Sequence, residues 1–175
     1  IRVRQFTISE GHLMCRPDQL EDEFKACLEL TNYMMEILGL KEDLTYRFSQ
    51  WDPNDRDKYI GTEEQWDEAQ SVMKTILDDL NIDYEIGIGE AAFYGPKLDI
   101  QIKNVFGKED TLVTIQVDQM LAEKFGMEYV DSDGQKKNPY IIHRTSIGCY
   151  ERTLALLIEK YAGAFPTWLA PVQVK

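Results

Sequence analysis

The sequence predicts an α+β fold, an antiparallel sheet flanked by helices. Three observations point there. The order of periodic segments is strand, helix, strand, helix, then several strands and a final helix. The runs KLDIQIK and TLVTIQVD alternate cleanly and are joined by a connection too short for a crossover helix, so they read as an antiparallel hairpin. No internal repeat or low-complexity stretch interrupts the 175 residues, a length sufficient for one domain with a hydrophobic core.

The elements follow in order. Arg2–Ile8 alternates Ile1 and Val3 against arginines and continues through Phe6 and Ile8, the pattern of a strand, and residues 13–16 extend a second strand segment. RPDQLEDEF reads as a helix entry, with Asp18 in the N-cap place and Glu21 at the capping-box position. Leu20, Phe24, Cys27, Leu28, Met34 and Leu38 carry the helical period to Gly39, a natural stop. LTYRFSQ alternates as a half-buried strand. WDPNDRDKYIG is a loop, and Thr62 caps a second helix with Trp66, Ala69, Met73, Ile76 and Leu80 on one face. YEIGI is a short strand, and GEAAFYGPK is a glycine-rich approach to the hairpin. A short helix at Met120–Phe125, a turn at DSDGQKKN, the strand PYIIHR and the helix GCYERTLALLIEKY complete the chain.

Composition narrows the function classes. The formal net charge of −12 argues against nonspecific nucleic-acid or membrane binding by the surface as a whole, although Arg2, Arg4, Arg144 and Arg152 are available for a local positive site. The three cysteines form no CxxC pair, and an odd count without a secretory signal points to a reducing, cytoplasmic setting. No apolar run is long enough to span a membrane. The chain opens on isoleucine and closes on the apolar FPTWLAPVQVK, so both ends read as cuts in a longer chain.

Several residues could carry chemistry, each against a plainer role. Thr114, Gln116 and Asp118 share one face of their strand, and a polar sheet face is either solvated or the rigid floor of a pocket. Arg2 and Arg4 share a face with Phe6. Paired guanidinium forks suit phosphate and an aromatic suits a planar base, but a solvated edge strand explains the same pattern. His12 and His143, the only histidines, lack a third metal ligand at local spacing, which favours hydrogen-bonded core histidines over a zinc site. Arg152 opens the last helix, where backbone N–H groups also favour anions, or else makes a surface ion pair. Tyr94 and Lys97 flank the Gly95-Pro96 turn, placed for a small ligand and a phosphate, though YGPK alone is an ordinary turn. Neither a Walker A sequence nor a Rossmann glycine pattern is present.

Taken together and in this order, RVRQFTISEGH, GEAAFYGPKLDI, TLVTIQVD, IIHR with GCYERTLALLIE, and GAFPTWLAPVQV are specific. Over nearly its whole length the chain resembles the catalytic core of the bacterial threonyl-tRNA synthetase family, among the class II aminoacyl-tRNA synthetases. The resemblance implies a partial class II catalytic domain over residues 1–165, from within motif 2 through motif 3, and a junction at 166–175 toward an anticodon-binding domain. It implies a threonine–tRNA ligase, which activates L-threonine with ATP and Mg²⁺ to threonyl-adenylate and transfers it to the 3′ end of tRNA(Thr), with a homodimeric full-length enzyme. Arg2 and Arg152 match the arginines on the ATP phosphates and carry the catalytic charge neutralisation. Phe6 matches the phenylalanine stacked on adenine, and Lys97 a lysine near the phosphates. Thr114 and Gln116 match positions near threonine and adenylate, Tyr94 a tyrosine that approaches the amino acid, and Glu10 a carboxylate for its amine.

The resemblance also changes the histidines. His12 and His143 match two ligands of a catalytic Zn²⁺ whose third ligand is a cysteine in an upstream PMNCPGH-like segment. No such segment is present, and Cys15 and Cys149 are not at that position. Two further departures are Glu10-Gly11, where the family often has aspartate and alanine, and Cys149, where a small residue is usual. The chain by itself is therefore expected to bind zinc poorly and to be weak or inactive. The alternative is a noncatalytic class II-like nucleotide-binding or regulatory domain.

Overall fold

The computed structural model describes residues 4–175, so Arg2 and the start of the first expected strand lie outside the described residues. Strand β1 spans Ile8–Cys15, beginning where the sequence reading ended its first strand and running into the second expected segment. Residues 5–7 are not strand, for a visible reason. The Thr7 carbonyl accepts the Tyr150 N–H at 2.9 Å. The Thr7 N–H donates to both Glu151 carboxylate oxygens at 3.1 and 3.0 Å. The segment is thus tied to the start of a helix, not to a neighbouring strand.

Helix α1 covers Leu20–Ile37 and is entered through a 3-10 turn at Pro17–Gln19. Asp18 does not cap it. Its carboxylate accepts from Arg16 Nε and Nη2 at 2.9 and 2.8 Å, since the adjacent guanidinium offers two charge-assisted bonds. Gly39, at φ +71°, ends the helix as expected. Strand β2 is Leu44–Gln50, and helix α2 is Glu63–Asp79. The Thr62 cap holds as a full capping box: Gln65 N–H donates to Thr62 Oγ1 at 3.3 Å and Thr62 N–H to Gln65 Oε1 at 2.8 Å.

Strands β3 (Tyr84–Ile88), β4 (Lys97–Lys103) and β5 (Glu109–Asp118) follow, the last two as the expected hairpin. Helix α3 is Leu121–Lys124, β6 (Tyr129–Val130) and β7 (Lys136–Lys137) form a small separate hairpin, β8 is Tyr140–Cys149, and helix α4 is Tyr150–Tyr161. The main sheet has six strands in the order β1-β8-β5-β4-β2-β3. It is antiparallel except at one edge, where β3 lies parallel to β2. The strictly antiparallel expectation fails there because α2 serves as the crossover that a parallel neighbour needs.

One face of the sheet is core. Phe48, Leu98, Ile100, Ile115, Val117 and Ile142 are buried against Leu20, Phe24, Leu28 and Met35 of α1, Met73, Ile76 and Leu77 of α2, and Leu156 and Leu157 of α4. The other face is polar, and its side chains fall into rows across the strands. In one row Glu10 opposes Thr145, and Thr114, Asp99 and Arg47 continue it. In the next, His12 opposes His143, followed by Gln116, Lys97 and Ser49.

Candidate active site

These rows floor a cleft of about 670 Å³. The alternation of each strand decides what faces it. Thr114 and Gln116 point there because Ile115 and Val117 fill the core, and Lys97 does so, with Asp99 buried on the same strand face, because Leu98 and Ile100 are fully buried on the other side. Phe6, 57% exposed, stands at one wall, and Arg152 at the start of α4 stands at another. The cleft is also lined by Glu10, Tyr94 and His143. Of the site residues read from the sequence, Phe6, Glu10, Tyr94, Lys97, Thr114, Gln116, His143, Arg144 and Arg152 line the cleft, His12 joins through Glu10 and His143, Arg4 and Asp118 are not in its lining, and Arg2 lies outside the described residues.

The floor is tightly bonded. Asp99, 1% exposed, accepts from Ser49 Oγ at 2.7 Å and Thr114 Oγ1 at 2.8 Å, and pairs with the Lys97 ammonium. Tyr94 donates its hydroxyl to Gln116 Oε1 at 2.9 Å, and Gln116 Nε2 donates to the Gly95 carbonyl at 3.5 Å. Burial, then the nearby Asp118 and Glu10 charges, hold the Tyr94 hydroxyl above its ordinary pKa, so it remains a donor. A Cβ on Gly95 would strike the Val117 carbonyl oxygen, so the chain passes this close to β5 only as glycine. Arg152 Nη1 donates to the Thr111 carbonyl at 2.6 Å, which seats the guanidinium at the rim. The sequence reading missed Asp99, Ser49 and Thr145. Their polar face was visible in the alternation, but their burial was not.

The two histidines meet edge-on with ring centroids 4.6 Å apart. Glu10 joins them: one ligand atom from each of Glu10, His12 and His143 lies within 4.8 Å of the others. Glu10 Oε1 is 3.3 Å from His12 Nε2. Two imidazoles and a carboxylate suit Zn²⁺, whose sites are built from nitrogen, sulfur and oxygen donors. The carboxylate was expected to meet an amine, and the structure puts it beside the two histidines. His143 is 13% exposed at its side chain and is hydrogen-bonded to Asp118, so it keeps the character of a structured histidine as well. A larger cleft, about 950 Å³, opens between Arg16 and the β6–β7 hairpin. Its charges already engage one another, Arg16 with Asp18 and Lys137 with Asp131 and Asp133, so the chemistry points to the smaller cleft.

Comparison with known proteins gives this geometry a family. Residues 1–161 match the tRNA synthetase class II core domain (G, H, P, S and T). The chain belongs to this class II synthetase family. Within the family, it is 66% identical over all its 175 residues to the threonine–tRNA ligase of Clostridium perfringens, covering 27% of that protein. It is 47% identical over 174 residues to that of Oceanobacillus iheyensis, again 27% of the protein. The chain therefore spans about a quarter of the length of these curated relatives. Among solved structures, the RNA binding domain of threonyl-tRNA synthetase from Cryptosporidium parvum superposes with a TM-score of 0.87 at 34% identity, over 97% of this chain and 42% of that one. A putative threonyl-tRNA synthetase from Aeropyrum pernix gives 0.80 at 31%, over 98% and 40%. A seryl-tRNA synthetase from Pyrococcus horikoshii, complexed with ATP, gives 0.59 at 14% over 91% and 28%, a likeness of class II fold alone.

Proposed function

We propose that the chain is the catalytic-core segment of a threonine–tRNA ligase. The observation that carries this is the 66% identity to such a ligase along the entire chain. In this reading ATP lies between Phe6 and Arg152. Phe6 offers an exposed ring for adenine, and Arg152 a guanidinium for the phosphates. Lys97 leaves Asp99 partly for the same phosphates, and Mg²⁺ arrives with the nucleotide. Attack of the threonine carboxylate on the α-phosphorus needs alignment and charge neutralisation more than a protein base, and Arg152 at the start of α4 contributes to both. Arg2 is assigned to the same phosphates by its motif.

Threonine binds on the other side of the floor, among Tyr94, Thr114 and Gln116, with Glu10 toward its amine. Zinc would be held by His12 and His143, with Glu10 beside them and the family cysteine supplied from upstream of this segment. When bound, the ion gives the site a Lewis acid that a substrate hydroxyl can ligate and a methyl group cannot, a basis for rejecting valine. Transfer to the 3′ end of tRNA(Thr), homodimer formation and a cytoplasmic location go with this reading. Among the described residues no helix is long and apolar enough to cross a membrane.

The test is threonine-dependent ATP–pyrophosphate exchange by the full-length protein that contains this chain. Exchange with threonine, lost in Arg152→Ala and weakened in Phe6→Ala, supports the ligase. Binding of a threonyl-adenylate analogue with no exchange would point instead to a noncatalytic nucleotide-binding domain.

A further inference from the structure

We propose that Asp118 is a positioning residue, which fixes the ring nitrogen His143 presents to the Glu10–His12 cluster. Asp118 ends β5 on the same face as Thr114 and Gln116 and is fully buried, at 0% exposure. Its Oδ1 accepts the N–H groups of Met120 and Leu121, both at 2.9 Å, where the chain turns into α3. Its Oδ2 lies 3.0 Å from His143 Nε2.

A carboxylate only accepts, so His143 Nε2 must be the N–H of this pair. In a neutral imidazole the other nitrogen then carries the lone pair. One ring nitrogen of His143 joins the cluster with His12 and Glu10, and with Nε2 given to Asp118, in this proposal Nδ1 takes that place. The ring also packs against the His12 ring at 4.6 Å and the Tyr94 ring at 4.9 Å, and a 180° flip would put a ring carbon where Nε2 stands and lose the Asp118 bond. One buried carboxylate thus closes the turn into α3 and sets the tautomer of a residue in the cleft. The consequence for a metal rests on the zinc reading above, whereas the tautomer does not.

Asp118→Asn separates the two tasks. The amide oxygen keeps the bonds to Met120 and Leu121, while the amide nitrogen replaces Oδ2 and offers a proton to Nε2. His143 should then switch to the Nδ1–H form. Long-range ¹⁵N–¹H correlation spectra of the metal-free chain read this directly. The parent should show His143 as Nε2–H and the variant as Nδ1–H. Titration of the full-length protein with Co²⁺, followed by its visible bands, should show affinity lowered roughly 10- to 100-fold in the variant. An Nδ1–H tautomer in the parent, or the same tautomer in both, overturns the proposal. If Asp118→Asn fails to fold, the parent spectrum alone decides. A tautomer switch with no Co²⁺ bound at His143 in either protein leaves the positioning role standing and removes the zinc assignment.

Discussion

Asp99 shows what a buried carboxylate does on a sheet face. It gathers Ser49 and Thr114 from the two neighbouring strands and Lys97 from its own. Asp99→Ala would leave two hydroxyls and an ammonium without their acceptor, so urea unfolding should show a loss of about 2–4 kcal/mol. The sequence marked Asp99 only as a member of a polar face. Whether such a face is wet or closed depends on what stands over it, and that is set by residues far away in the chain. The cysteines differ in the same way. Cys15 and Cys27 are buried in the core, and burial with the Glu23 charge pushes the Cys15 thiol from its ordinary 9.0 up to about 11. Cys149 lies at the cleft, partly exposed. Iodoacetamide at neutral pH should therefore modify Cys149 well before the other two, as read by mass spectrometry of digests.

At the scale of elements, the helices were the most legible. Thr62, and the period Trp66, Ala69, Met73 and Ile76, determine α2 from local chemistry alone. β1 was less so. RVRQF and ISEGHLMC alternate alike, and only the contacts of Thr7 with Tyr150 and Glu151 decide where pairing begins. YEIGI carries no mark of direction, so its parallel placement came from the reach of α2. Gly148 is an element-scale constraint that sequence shows only as a glycine. It has φ +70°, and a Cβ there would collide with the Leu112 carbonyl oxygen. Gly148→Ala must therefore strain the end of β8 and part it from β5. We expect a loss of at least about 2 kcal/mol and a broken register at the mouth of α4, seen as a lower urea midpoint.

For the molecule as a whole, pH is the simplest probe. Cys15, Cys27, Tyr46, Tyr94 and Tyr140 all have pKa values raised in the fold, with burial the largest cause for each. Above pH 9 the unfolded chain releases protons from such groups before the folded one does, so it binds fewer protons and stability falls with rising pH. For Cys15 the contribution is complete below 9.0 and is lost as pH climbs through about 11. The acid side has the opposite sign. Glu151 is held below the usual carboxylate range first by the Thr7 N–H, so its contribution is present above the ordinary glutamate pKa and disappears as pH falls through the lowered one. Thermal melts from pH 3 to 11 should show a plateau flanked by two declines. The fold class and the cleft were legible at this scale because the motifs lie on strands whose order the family fixes. What sequence could not show was how few side chains close the floor.

The bond between Thr7 and Glu151 has a mechanical consequence. It couples the segment carrying Phe6 to the helix carrying Arg152, so the two walls of the cleft cannot drift apart independently. A solvent-exposed amide just upstream of a strand would ordinarily trade its proton with water quickly. Thr7 should instead exchange in step with fraying of the first turn of α4, and Glu151→Ala should release it to the fast regime while the amides of β5 keep their protection. The two walls would then behave as a single jaw with one opening rate, set by a carboxylate at the cleft's own edge.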